Sequence, residues 1–380
     1  MNFQNSPRIR RILMTTDTVG GVWTYCLELA GALAELGVEV HFATMGEPVN
    51  RQQRSEAMWL SNVTLHESRY RLEWMNDPWD DLNRAGEWLL SLEEEIEPDV
   101  VHLNGYVHGN LPWSSPTLMV GHSCVFSWHT AVRNTFPSPE WASYYIAVKA
   151  GISAADRVTA PTRAMLSELN RYYGPFKETE PIYNGRLQDA YGCSRKESII
   201  LTAGRLWDEA KNMSVLEEIA SDLSWPIYAA GPKDSPAGGE VTLRNLLFLG
   251  HLSSARLARW YGQAAVFALP ARYEPFGLTA LEAGLSGCAL VLGNIPSLRE
   301  LWSGAALFVP PDQPEAVAET LRALIRNPGL RMELGRKARQ RALWFTPKRM
   351  ADRYLTQYRN LVRSCQTKII HHPTAVMEAG

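Results

Sequence analysis

Between Ala271 and Gly287 the chain reads ARYEPFGLTALEAGLSG, with Glu274 and Glu282 eight positions apart. Pro275 disfavours helix at Glu274, and Gly277 is a poor helix residue, so the spacing predicts a helix beginning near Leu278. Leu278, Leu281 and Leu285 then share a face, and Gly287 is the stop. Glu274 falls on a loop facing the helix N-terminus, and Glu282 lies one turn inside. The free amides of a first helical turn suit an anion, a phosphate above all. Two carboxylates beside a phosphate are hydrogen-bond acceptors matched to sugar hydroxyls.

Other candidates sit at the ends of predicted strands. "AGRLWDEAKN" puts Arg205 and Lys211 on a loop leading from a strand into a helix. Two cations there can pair with a diphosphate and disperse its charge, although either alone reads equally as surface charge. "TTDTVGGVW" sets Gly20 and Gly21 at the opening of the first helix, for close approach of backbone to a ligand or for a tight turn. His122 ends "TLMVGH", where a cleft would open; it reads as a ligand contact or as a buried structural histidine. His129 in "FSWHT" is less well placed. The aromatic-rich stretch 124–141 reads as a long loop, either lining an acceptor pocket or packing as ordinary loop. No GxSxG, HExxH, Walker A or kinase motif occurs. A DxD metal motif is also missing, and the acidic cluster "NDPWDD" (76–81) reads as a helix start, so no residue is assigned to a metal.

The elements that must position these residues alternate short apolar runs with helical patterns, the grammar of parallel α/β domains. Strands are predicted at 10–16, 38–44, 117–122 and 157–161, with "VVHLNG" after Pro98. Helices are predicted at 22–37, 79–99 and around 139–155. The grammar restarts after "PIYNGRL" (181–187), with strands at 198–206, 226–231, 245–250, 264–270, 288–294 and 305–311. Helices at about 212–222, 253–262, 278–286, 313–326 and 328–344 separate or follow them. The expectation is two Rossmann-like units facing across a cleft. The first is residues 1–180, joined through a linker near 176–195 to a second, residues 181–347. A helix at about 348–364 follows "FTP" and crosses back to the first unit, leaving 365–380 as an unstructured tail.

A chain of 380 residues is long for one core, which agrees with two domains. The net charge of −2 gives no reason to expect nucleic acid. Residues 331–363 nevertheless carry ten Arg or Lys against Glu333 and Asp352; this reads as a solvated helical face or as a contact with an anionic membrane. The five cysteines are scattered without a CxxC pair, which suits a reducing cytoplasm, and Cys26 and Cys288 lie in apolar surroundings. No apolar run approaches the roughly 20 residues of a membrane span. The N-terminus lacks a signal-peptide core, so the expected location is the cytoplasm, with peripheral membrane contact from that side as the further reading.

Taken in order, these motifs resemble the retaining GT-B glycosyltransferases of glycosyltransferase family 4, over roughly residues 10 to 345. "EPFGLTALEA" is similar to the family's E-x7-E motif; "AGRLWDEAKN", "IYNG", the early glycine pair and "FVPPDQPEAVAETLRAL" support it. The resemblance implies a nucleotide-diphosphate sugar, UDP- or GDP-linked, as donor substrate, no separate cofactor and no metal. It implies that Arg205 and Lys211 bind the donor diphosphate and that Glu282 accepts the ribose hydroxyls. Glu274, with the 276–279 backbone of Phe276, Gly277, Leu278 and Thr279, would hold the transferred sugar and its phosphate. Gly20 and Gly21 would let the first domain approach the donor, and His122 would contact the sugar near the reacting carbon. The implied reaction moves a hexosyl unit to a hydroxyl acceptor with retention, by same-face attack in which a donor phosphate oxygen takes the acceptor's proton. Asn212 stands where the family often has Gly, and "GNIPSLRE" (293–300) lacks the common double glycine before Glu300. A sugar-nucleotide epimerase, a sugar phosphorylase and a non-catalytic sugar-nucleotide binder are the alternatives on the same architecture. A nucleic-acid binder using 331–363 is the alternative from another class.

Overall fold

The computed structural model describes residues 7–177, 180–235 and 239–371. The first half holds strands β1 (Arg11–Asp17), β2 (Glu39–Met45), β3 (Val63–Glu67), β4 (Val100–Leu103), β5 (Thr117–Val120) and β6 (Arg157–Thr159). Helices α1 (Gly21–Ala34), α2 (Arg51–Met58), α3 (Trp79–Ile96), α4 (Val125–Arg133), α5 (Ala142–Ala154) and α6 (Arg163–Tyr173) run between or after them. The second half holds β7 (Glu197–Ala203), β8 (Ile227–Ala230), β9 (Leu247–Gly250), β10 (Ala264–Leu269), β11 (Ala289–Gly293) and β12 (Leu307–Val309). Its helices are α7 (Met213–Ile219), α8 (Ser254–Gln263), α9 (Leu278–Leu285), α10 (Pro296–Trp302), α11 (Pro314–Arg326) and α12 (Pro328–Ala342). A last helix, α13, spans Pro347–His371.

Every pairing between these strands is parallel, because helical crossovers carry the chain back each time. Covered on both faces, the central strands read as unbroken apolar runs: β10 (AAVFAL) and β11 (ALVLG) are buried throughout. The first sheet has the order β3-β2-β1-β4-β5-β6 and the second β12-β11-β10-β7-β8-β9. Each therefore reverses direction once, between β1 and β4 in the first and between β7 and β10 in the second. Crevices for ligands open at such reversals, beyond the carboxyl ends of the strands. Both domains are thus the expected Rossmann-like units.

α13 returns to the first domain. Met350, Ala351, Tyr354, Leu355, Tyr358 and Leu361 recur at helical spacing and pack with Ile12, Met14, Tyr25, Cys26 and Leu29 in one core. The helix extends through residues 365–371, which the sequence reading assigned to an unstructured tail. "CQTKIIH" contains neither glycine nor proline, so nothing local ends the helix there; residues 372–380 lie outside the described residues. A second difference falls in the stretch expected as a long loop at 124–141. Residues 125–133 form α4, capped by Cys124, whose Sγ accepts the Ser127 N–H at 3.3 Å. As expected, "NDPWDD" opens a helix: Asp80 and Asp81 occupy the first turn of α3.

The basic 331–363 stretch is partly consumed within the fold. Arg331 donates to Leu324 O, Arg339 to Leu285 O and Arg341 to Leu301 O. Lys337 pairs with Glu333 and Lys348 with Asp352 along their own helices. Among the described residues no helix is long and apolar enough to cross a membrane.

Candidate active site

The two strand reversals face each other, and this brings residues far apart in sequence into contact. Gly20 sits at φ +106° at the start of α1, and a β-carbon there would lie 3.2 Å from Arg205 Nη1. Beside it, a β-carbon on Gly21 would lie 3.7 Å from Leu278 Cδ1, on the first turn of α9. The glycine pair lets α1 open directly against the second domain.

On that second domain, Arg205 leaves β7 and donates from Nη2 to Asp208 Oδ2 at 2.9 Å. Lys211 Nζ donates to Glu274 Oε2 at 2.6 Å, with both side chains largely buried. Burial pushes the Asp208 carboxyl up, but the Lys211 and Arg205 charges outweigh it and hold the group below its ordinary value. Asp208 also accepts the Trp128 indole N–H from α4, at 3.1 Å, so one carboxylate ties the cation loop to the first domain. Asn212, which stands where a glycine was the pattern, lies at φ +59°. Asparagine tolerates that left-handed conformation, and its Nδ2 donates to Pro270 O and Pro311 O at 2.9 and 2.7 Å.

Glu274 precedes α9 as expected. Gly277 takes φ +87° as the residue before that helix, so the amides of Leu278 and Thr279 begin it next to the Lys211–Glu274 pair. The Phe276 side chain turns inward against Phe345, leaving only its backbone for a ligand. Glu282 departs from a simple picture of an open carboxylate. Its Oε1 accepts from Arg186 Nε at 2.8 Å, and the same guanidinium pairs with Glu28 on α1. Arg186 lies over the Tyr191 ring. This three-residue ion cluster joins the domains, and sequence reasoning missed Arg186 although it directly follows "IYNG".

Glu300 is a second clasp. It accepts the backbone N–H groups of Arg163 and Ala164 at 2.8 and 2.9 Å, and the Tyr183 hydroxyl at 3.0 Å. A carboxylate from α10 thereby satisfies the free amides at the start of α6 in the other domain.

His122 lies two residues beyond β5. Its Nε2–H donates to Asn104 Oδ1 at 2.8 Å, while Asn104 Nδ2 donates to Thr15 O. That leaves Nδ1 as the acceptor nitrogen. Burial lowers the ring's pKa to about 3, so it stays neutral. Tyr25 packs edge-on to it at 4.6 Å, and behind Tyr25 the buried His102 hydrogen-bonds both Tyr25 and Tyr358 of α13. The returning helix thus backs the histidine. His129, by contrast, packs between Trp128 and Trp141 on α4.

His122 opens on a cavity at the carboxyl ends of β1, β4 and β5, shared with Thr15, Asp17, Glu73, Asn104 and Ser123. None of these five was singled out by the sequence reading, and two of them, Asp17 and Glu73, are ionisable. Burial raises the Asp17 carboxyl to about 7, partly offset by the Val19 N–H and by Arg205. Burial also raises Glu73 to about 7 against the N–H groups of Val107 and Tyr106. Asp17 was within reach of sequence reasoning as the last residue of the first strand. Glu73 was not, since it stands in an irregular segment with no motif.

Two Rossmann-like domains closing on each other at their strand reversals are the architecture of the GT-B glycosyltransferases. The chain belongs to the glycosyltransferases that two family descriptions jointly cover: Glycosyltransferase Family 4 over residues 19–186 and Glycosyl transferases group 1 over residues 188–341. It is 25% identical over 392 residues to a D-inositol 3-phosphate glycosyltransferase of Jonesia denitrificans, covering 90% of this chain and 92% of that one. Among solved structures, a sucrose-phosphate synthase of Thermosynechococcus elongatus superposes with a TM-score of 0.77 at 19% identity, covering 93% of this chain and all (100%) of that one. Anabaena HepE, crystallised with UDP and glucose, superposes at 0.74 with 14% identity, covering 93% of this chain and 100% of its own.

Proposed function

We propose that this glycosyltransferase moves a hexosyl unit from a UDP- or GDP-linked donor to a hydroxyl acceptor, retaining the anomeric configuration and using no divalent metal. The observation that carries the reading is the junction of Arg205, Lys211 and the start of α9 opposite His122. In this reading residues 181–347 take the donor and residues 1–180, backed by α13, take the acceptor in the cytoplasm. The internal hydrogen bonds of Arg331, Arg339 and Arg341 favour a solvated basic face over a membrane contact.

Cleavage of the sugar–phosphate bond leaves negative charge on the departing diphosphate. Arg205, Lys211 and the first amides of α9 stabilise that charge in place of a metal ion. Glu274, held by Lys211, accepts hydroxyls of the transferred sugar. Glu282 takes the ribose hydroxyls on its second oxygen while Arg186 keeps the first. Neutral His122 accepts a sugar hydroxyl at Nδ1 and, with so low a pKa, does not retain a proton. The acceptor hydroxyl attacks from the side the diphosphate leaves, and its proton passes to the leaving phosphate oxygen.

The test is proton NMR of the glycosylated product formed from α-linked UDP- and GDP-hexoses in excess EDTA. An α-configured product at undiminished rate is expected. Inversion overturns retention, and activity lost to chelator and regained with magnesium or manganese overturns metal independence.

A further inference from the structure

Resting on that reading, the cavity beside His122 says what kind of acceptor it suits. Its polar inventory is one-sided. Asp17 uses Oδ1 to accept the Val19 N–H, and among the described residues its Oδ2 receives no hydrogen bond. Glu73 accepts the N–H groups of Tyr106 and Val107 on Oε2, both at 2.9 Å, and only a longer 3.2 Å contact from Tyr106 on Oε1. His122 offers Nδ1 as an acceptor. Thr16 also lines the cavity, its buried hydroxyl set beside the Cys26 thiol.

The cations nearby are already engaged. Arg71 at the rim donates from Nη1 to Asn76 O and Asp77 O at 3.2 and 3.0 Å, with Asp81 at 3.9 Å from its Nε. Arg205, which in that reading holds the donor diphosphate, is not among the residues that line the cavity. A phosphate brought here would set its acceptor oxygens against two carboxylates whose mutual repulsion already helps to raise Asp17. Hydroxyls or an ammonium would instead donate into Asp17 Oδ2 and Glu73 Oε1, His122 Nδ1 being left to the transferred sugar.

We propose that the acceptor is a polyol or amino sugar carrying no phosphate on the part that enters the Asp17–Glu73–His122 cavity. This separates the chain from relatives named for inositol 3-phosphate. Charges of the wrong sign are an established route to excluding one of two similar ligands, and here the exclusion is fullest above about pH 7, where both carboxyls are ionised.

The experiment uses matched pairs: glucose and glucose 6-phosphate, glucosamine and glucosamine 6-phosphate, myo-inositol and inositol 3-phosphate. Transfer is followed by nucleotide release, and binding of the same compounds by thermal shift with UDP or GDP present. The unphosphorylated member of at least one pair is expected to bind and to be used about tenfold better or more than its phosphate. Asp17→Asn retains an oxygen for the Val19 N–H and is expected to narrow that ratio severalfold, with nucleotide affinity measured alongside. A phosphorylated member that binds or reacts as well or better overturns the proposal and leaves the transferase reading standing. A ratio unchanged in Asp17→Asn, or no binding by any unphosphorylated member, also overturns it. A protein that neither binds nucleotide nor cleaves any donor removes the transferase reading as well.

Discussion

Replacing Arg186 by Met tests how the two domains are held together. The guanidinium serves Glu28 and Glu282 at once, where the three side chains are only 14%, 12% and 9% exposed. Arg186→Met keeps a long apolar side chain and leaves two carboxylates facing each other without a counter-charge. Breaking a buried pair in this way costs about 3–5 kcal/mol, a large part of the roughly 5–15 kcal/mol that stabilises a typical protein. The loss carries a pH signature. Burial already raises the Glu28 carboxyl while Arg186 pulls it down. Without Arg186 the Glu28 carboxyl rises further above its unfolded value of about 4.3. The folded variant then binds protons that the unfolded chain has released, so its deficit is full at neutral pH and shrinks on acidification. Urea unfolding of both proteins at about pH 7.5 and about pH 5 reads this directly. The expected gap is about 3–5 kcal/mol at the higher pH and about 1 kcal/mol smaller or better at the lower. The triple variant with Glu28→Gln and Glu282→Gln should regain most of the loss, because no unpaired buried charge remains. A gap below about 1 kcal/mol, or one equal at both pH values, refutes the reasoning.

Lys211→Ala should lower kcat by about 10²–10³-fold, the usual cost of one contact to developing negative charge. Added magnesium should restore little of it, and a kcat unchanged with KM raised would assign Lys211 to ground-state binding alone. Gly20→Ala forces φ +106° on a residue with a β-carbon and pushes on Arg205 Nη1. It should cost about 1–3 kcal/mol of stability together with turnover; wild-type stability and rate would refute the close approach. His102, lowered to about 3 by burial first and the His122 charge second, contributes stability as a neutral ring above its unfolded value of about 6.5. That contribution falls away on acidification, so the deficit of His102→Gln relative to wild type should narrow by about 1.4 kcal/mol per pH unit between about pH 6 and pH 4. Asp17 and Glu73 act with the opposite sign and cancel in this difference; a deficit constant across the range counts against a buried neutral His102.

The parts of the site written in local sequence were legible, and those made by long-range closure were not. Gly277 and Pro275 mark the start of α9 because they restrict their own backbone, and the helix begins at Leu278 as the pattern requires. Arg205 and Lys211 follow a strand whose apolar run is unmistakable. Arg186 carries no such mark, since its meaning lies in Glu28 and Glu282, which are 158 and 96 positions away. Glu73 reaches the cavity only because an irregular segment folds over β4, a matter of tertiary packing. Among elements, β3 was missed as a half-exposed edge strand of 5 residues, and its alternation is weak. α6 was missed despite a usable signal: Thr162 caps it by accepting the Met165 N–H at 3.1 Å.

The return of α13 to the first domain sets an order of assembly. Tyr354 and Tyr358 are made after the whole second domain, yet they seal the core under β1 and β4 and complete the Tyr25–His102–Tyr358 chain behind His122. A nascent chain emerging N-terminus first cannot finish the first domain when that domain leaves the ribosome. Its open apolar face must wait while more than 150 further residues, Glu197 to Ala342 among them, are made and form the contiguous second domain. A chain cut short before Tyr358 therefore carries the complete second sheet but leaves the core of the first domain open.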